Sequence, residues 1–136
     1  MLTTERIAKA KPHASTGMDP ECVSLCYILN RLPGVTTTGS CCGHGKSSFR
    51  IWLQVDSMKY LVILGRVLDK RYGCPIGWKL IVDNTDTPES CPCFLLTSGF
   101  KRGPDAYSEA QLLVDSIQEH LKHKNFIKLF NIPLPV

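Results

Sequence analysis

Two thiols, an imidazole and an ammonium stand together in the stretch Ser40-Cys41-Cys42-Gly43-His44-Gly45-Lys46. A hairpin turn needs one or two glycines; it does not need those groups beside them. Gly43 and Gly45 permit positive φ, so successive backbone N–H groups there are expected to converge into an anion-binding nest. Lys46 and Arg50 add positive charge, and His44 and Ser40 offer hydrogen bonds. The expected ligand-binding set is Ser40, Gly43, His44, Gly45, Lys46 and Arg50, with a phosphate or carboxylate as its partner and no residue assigned a catalytic role. A Walker-type loop is excluded, because the first glycine of that motif is missing at the required distance and a strand, not a helix, follows.

Two other uses of the same residues compete with this one. Thiolates and imidazole are zinc ligands, and Cys41, His44, Cys91 and Cys93 from two hairpins would make up a four-ligand set. Against it, neighbouring strand residues point to opposite faces, so Cys41 and Cys42 cannot easily serve one ion. Thiol nucleophilic catalysis by Cys41 or Cys42 with His44 is the third use, but the sequence shows no acidic partner to orient the imidazole. Cys22 and Cys26 share one helix face and read as core. Lys101-Arg102-Gly103 is a basic loop able to extend an anion site. Asp83-Asn84-Thr85-Asp86 reads as a turn, Trp52 and Trp78 as strand residues packed in the core, and His120, Lys122, His123 and Lys124 as partners of a helix dipole.

The elements that must position these groups follow from patterning. Asp19-Pro20-Glu21 is a helix start, with Asp as N-cap and Pro in the first turn. Cys22, Val23, Cys26, Leu29 and Leu32 then mark an apolar stripe, and Pro33-Gly34 ends it. Residues 35–38 are β-branched and read as a strand, residues 39–47 as turn, and residues 49–55 as a second strand interrupted only at Trp52. A second helix is expected over 58–71, ended by Gly73. Strands over 78–82 and 93–97 and a helix from Asp105 to about 123 complete the order, with Tyr107, Ala110, Leu113, Val114, Ile117 and Leu121 on its buried side. Residues 125–131 can add a helical turn. The expected fold is α+β, a two-layer sandwich of about four strands in two hairpins, in αββαββα order.

Composition sets the frame. Of 136 residues, 43% are hydrophobic and 21% charged, which fits one domain over 19–136 behind an N-terminal arm over 1–18. The net charge of +4 favours an anionic partner, with nucleic acid among the candidates, without being a basic arm. No apolar run reaches signal-peptide or membrane-spanning length, so a cytoplasmic protein with no membrane partner is expected. Seven cysteines, an odd number, argue against a disulfide framework in that setting.

The run from Ile28 to Lys46, Ile-Leu-Asn-Arg-Leu-Pro-Gly-Val-Thr-Thr-Thr-Gly-Ser-Cys-Cys-Gly-His-Gly-Lys, resembles a pattern in small uncharacterised phage and bacterial proteins, where a helix and a Thr-rich strand lead into Ser-Cys-(Ser/Cys)-Gly-His-Gly. More distantly, residues 25–46 resemble the wybutosine-synthesis methyltransferases of tRNA, which carry Arg where this chain has His44. The resemblance implies a nucleotide-like ligand at the hairpin. A phage-type setting suggests a small non-enzymatic anti-defence factor that sequesters a nucleotide signal, as a homo-oligomer in many such proteins. No cofactor is expected on this reading. The alternatives are an S-adenosylmethionine-dependent RNA-modifying enzyme of wybutosine type and a zinc-stabilised interaction module.

Overall fold

The computed structural model describes residues 18–84 and 93–122. Helix α1 (Pro20–Leu29) begins at the expected proline, whose missing N–H would be unpaired there in any residue. It buries Cys22, Leu25, Cys26, Ile28 and Leu29, whereas Val23, expected in the stripe, is exposed. One residue turns a helix by about 100°, so Val23 leaves the face that Cys22 occupies and Leu25 returns to it. Gly34 then turns the chain at φ +74, where a Cβ would overlap the Tyr60 ring.

Strands β1 (Val35–Cys41) and β2 (Ser48–Val55) flank a 3-10 turn, Gly43–Gly45. Helix α2 (Met58–Val67) leads to β3 (Lys79–Asn84), β4 (Cys93–Arg102) and helix α3 (Gly103–Lys122). This is the expected αββαββα order and α+β class. The sheet runs β1-β2-β4-β3, antiparallel throughout, so the two hairpins join along β2 and β4.

Several boundaries differ from expectation: β3 runs through Asp83 and Asn84, expected in a turn, and α3 begins at Gly103, ahead of Asp105. Helix α2 stops at Val67, because the Asp69 carboxylate accepts the Arg71 N–H at 2.9 Å and starts a separate turn, Lys70–Tyr72, that Gly73 closes at φ +96. Strand β1 continues through Ser40 and Cys41, which were expected in the turn. Strand β4 runs on to Arg102, so Lys101 and Arg102 belong to a paired strand end and not to a free loop.

The helices pack on one face of the sheet. Along β2, burial alternates residue by residue: Phe49, Ile51, Leu53 and Val55 are buried, and Arg50, Trp52 and Gln54 lie on the opposite face. The buried residues of α1, α2, α3 and the strands form one core cluster. Trp78 joins it as expected, 5.2 Å from the Phe49 ring centroid, with its indole N–H donating to Glu109 at 2.9 Å. Trp52 does not. It sits half-buried on the open face because the strand's alternation overrides its hydrophobicity. Asn30, fully buried, ties α1 to β1: its side-chain amide donates to the Cys26 carbonyl at 2.7 Å and Thr37 Oγ1 at 2.6 Å, and its oxygen accepts the Thr37 N–H at 3.0 Å.

No helix among the described residues is long and apolar enough to cross a membrane. Residues 1–17, Thr85, Asp86, Cys91, His123, Lys124 and residues 125–131, about which the sequence raised expectations, lie outside the described residues.

Candidate functional site

A single extra residue decides which groups face outward. Thr37 pairs with Leu53 and Gly39 with Trp52, so Thr38 is a bulge in β1. The bulge shifts the side-chain alternation by one. Ser40, opposite Ile51, therefore faces the helices, where its hydroxyl meets the thiols of Cys22 and Cys26. Cys41, opposite Arg50, faces the open side. Ser40, expected among the ligand-binding residues, spends its hydroxyl on these thiols at the helix side.

The two adjacent thiols are thereby divided, as strand geometry required. Cys42 is 3% exposed, and burial pushes its thiol above the ordinary range against the pull of the His44 N–H. A hydrogen bond with Cys42 is the main cause holding the Tyr107 hydroxyl up, at about 12. Burial likewise pushes Cys22 up to about 12 and Cys26 to about 11. These three are protonated packing groups. Cys41 is half-buried, and its sulfur accepts the Gly43 N–H at 3.4 Å and faces Arg50 Nη2 at 3.4 Å. All six described cysteines are free thiols.

The turn has the backbone the glycines suggested, with φ of +80 at Gly43, +52 at His44 and +77 at Gly45. At Gly43 a Cβ would stand 2.7 Å from the Ser48 carbonyl oxygen, so no other residue fits. The nest, however, is filled from within. The Gly43 N–H points to Cys41 Sγ, the His44 N–H to Cys42 Sγ at 3.3 Å, and the Gly45 backbone interacts with Tyr107. The Lys46 and Ser47 N–H groups both donate to the Gly43 carbonyl. Backbone capture of an external anion by Gly43 and Gly45 is therefore not what this turn is built for; their N–H groups hold sulfur and a phenol.

The turn's most consequential neighbour is Asp19. It occupies the N-cap position of α1 but makes no side-chain cap. Instead Oδ2 accepts the Cys42 N–H at 2.9 Å and lies 3.8 Å from His44 Nε2. That backbone hydrogen bond is the first cause holding the Asp19 carboxyl below its usual range. An acidic group beside the imidazole is thus present, contributed from the start of α1. Nothing in the sequence marks it, because Asp-Pro-Glu is fully explained as a helix start. The donor atoms of Asp19, Cys41 and His44 all lie within 4.8 Å of one another.

Of the expected four-ligand set Cys41, His44, Cys91 and Cys93, Cys91 lies outside the described residues and Cys93 stands apart from Cys41. Arg50 pairs with both Cys41 and Thr97, whereas Cys93 pairs with Gln54, four residues from Thr97 and about 13 Å along β4.

Positive charge gathers at the same end of the sheet. Between Ser48↔Arg102 and Arg50↔Thr97, strand β4 carries an irregular stretch, Ser98 to Lys101, outside the regular pairing. Ser98 Oγ pins it, accepting the Phe49 N–H at 2.8 Å and donating to the Lys101 carbonyl at 2.8 Å. Arg102 Nη1 donates to the Lys46 carbonyl at 3.0 Å, and Gly103 packs on Gly45. Lys46, Lys101 and Arg102 are exposed; Arg50 lies 5.5 Å from the Trp52 ring centroid, its Nε buried with no hydrogen-bond partner among the described residues. Phe100, at the tip, is 98% exposed. The one sequence signal for Phe100 is an aromatic residue set between a glycine and a basic pair.

No protein-family model matches the chain, nor does any curated protein or solved structure.

Proposed function

We propose that the protein binds an anionic, nucleotide-like ligand at the end of the sheet formed by the Gly43–Gly45 turn and the β4 irregularity. The observation that carries this reading is Arg102 on the Lys46 carbonyl, which draws the basic pair of β4 onto a turn already flanked by Lys46 and Arg50. Cations beside an exposed aromatic ring suit phosphate neutralisation combined with base stacking. Lys46, Lys101 and Arg102 neutralise phosphate, Phe100 offers a stacking face, and His44, exposed at the turn, donates a hydrogen bond. Gly43 and Gly45 serve indirectly, by letting the turn approach Ser48 and Gly103. The role is one of holding a ligand, and sequestration of a nucleotide signal is its simplest use.

Calorimetric titration with ATP and with inorganic pyrophosphate at two ionic strengths tests it. Saturable binding that weakens with salt is expected, with ATP tighter than pyrophosphate. The Lys46→Ala/Arg102→Ala protein should lose it while melting as the parent does. Equal affinity in parent and variant would overturn the proposal.

A further inference from the structure

We propose that Asp19, Cys41 and His44 form a three-ligand site for a zinc-type divalent cation, open at its fourth position. The donors are an oxygen, a sulfur and a nitrogen with no more than 4.8 Å between any two. A tetrahedral zinc ion needs such atoms about 3.3–3.6 Å apart, so modest side-chain rotations close the set. Aspartate and thiolate together bring two negative charges, which a divalent ion balances, and the neutral imidazole adds the nitrogen ligand.

Three features suggest a built site more than a chance encounter. Each anionic ligand is oriented by a backbone N–H: Cys42 holds Asp19 Oδ2 and Gly43 holds Cys41 Sγ. Such outer contacts fix ligand geometry and relieve charge on a metal-bound thiolate, as does Arg50 on the same sulfur. His44 stands in the left-handed region at φ +52, the only described non-glycine residue there, held by its N–H on Cys42 Sγ. Strain of this kind persists where a side chain must be aimed. Finally, Cys41 Sγ, the Asp19 carboxylate and a His44 nitrogen come from three separate chain positions and lie within 4.8 Å of one another, the arrangement in which one divalent ion takes all three as ligands. Three protein ligands and an exposed imidazole leave a position for water or for an oxygen of an anionic ligand.

The test uses cobalt(II) as the probe on metal-depleted protein. One equivalent should give a sulfur-to-cobalt charge-transfer absorption, which zinc abolishes by displacement. Cys41→Ser should remove the absorption. Asp19→Asn, which keeps an oxygen for the Cys42 N–H, and His44→Asn, which tolerates the left-handed backbone, should each weaken binding by about tenfold or more. Cys93→Ser and Lys46→Ala should leave it unchanged, so loss of anion binding and loss of metal binding are read separately. A second measurement needs no variant: one equivalent of zinc should protect Cys41, and not Cys93, from alkylation followed by peptide mass mapping. Absence of the absorption in the parent, its survival in Cys41→Ser, or no zinc protection of Cys41 would overturn the proposal.

Discussion

The two faces of the sheet use the same residue types in opposite ways. On the helix side, Cys22, Cys26 and Cys42 are sealed, and burial raises all three thiols. Ser40 turns inward to meet two of them, and Asn30 satisfies its amide within the core. On the open side, Cys41 meets a guanidinium, a backbone N–H and, nearby, a carboxylate and an imidazole. The same contrast separates two aspartates that precede helical turns. Asp69 engages Arg71, two residues on, as local geometry offers. Asp19 forgoes its local cap and reaches the Cys42 N–H. A polar group that abandons the nearest partner for a distant one is a better guide to function than its residue type.

The largest effects should come from the inner face. Phe49→Ala removes a ring with no exposed surface and is expected to cost about 3–5 kcal/mol in chemical denaturation. Trp52→Ala, three residues on along the same strand, should cost about 1 kcal/mol or less, since that side chain packs only against the open face. Equal losses would break the distinction between the faces.

Next in size is Asn30→Ala, which leaves the buried Thr37 N–H without its acceptor. A loss of about 2–3 kcal/mol is expected, measured as a shift in the denaturation midpoint. The thiols should differ in rate more than in stability. Under brief alkylation at neutral pH, peptide mapping should find Cys41 modified well before Cys22, Cys26 and Cys42, which react only on unfolding. Early modification of Cys42 would contradict its place in the sealed face.

Smaller still, Phe100→Ala should change stability by no more than about 0.5 kcal/mol while weakening ligand binding several-fold. The smallest effect lies at the margin of the helix side. Burial pushes the His120 imidazole below its usual value of 6.5. Its lowered folded-state value means that stability is complete above the ordinary histidine range and declines as pH falls through the folded value. His120→Gln should flatten that decline in melting temperature between neutral and mildly acidic pH.

Much of the frame was legible in the sequence. The Asp-Pro-Glu start, the β-branched run before the turn, the alternation of β2 and the periodicity of α3 each state a local preference that the tertiary structure keeps. The candidate site at residues 40–46 was picked out because its residue types exceed what a turn needs. Its internal wiring was not. The bulge at Thr38 inserts one residue with no sequence mark, and that one residue decides that Cys41 faces out and Ser40 faces in. The filled nest depends on sulfur atoms acting as acceptors, which spacing alone does not disclose. Asp19 is hidden by a sufficient local explanation, and Trp52 sets hydrophobicity against strand parity, a conflict that parity wins.

The most direct test of the account is mass spectrometry of small molecules retained by the natively purified protein, compared with a Lys46→Ala/Arg102→Ala protein handled identically. The account predicts a phosphate-bearing species on the parent that is absent from the variant, with both proteins folded by circular dichroism. The same species on both proteins, or none on either, would contradict it.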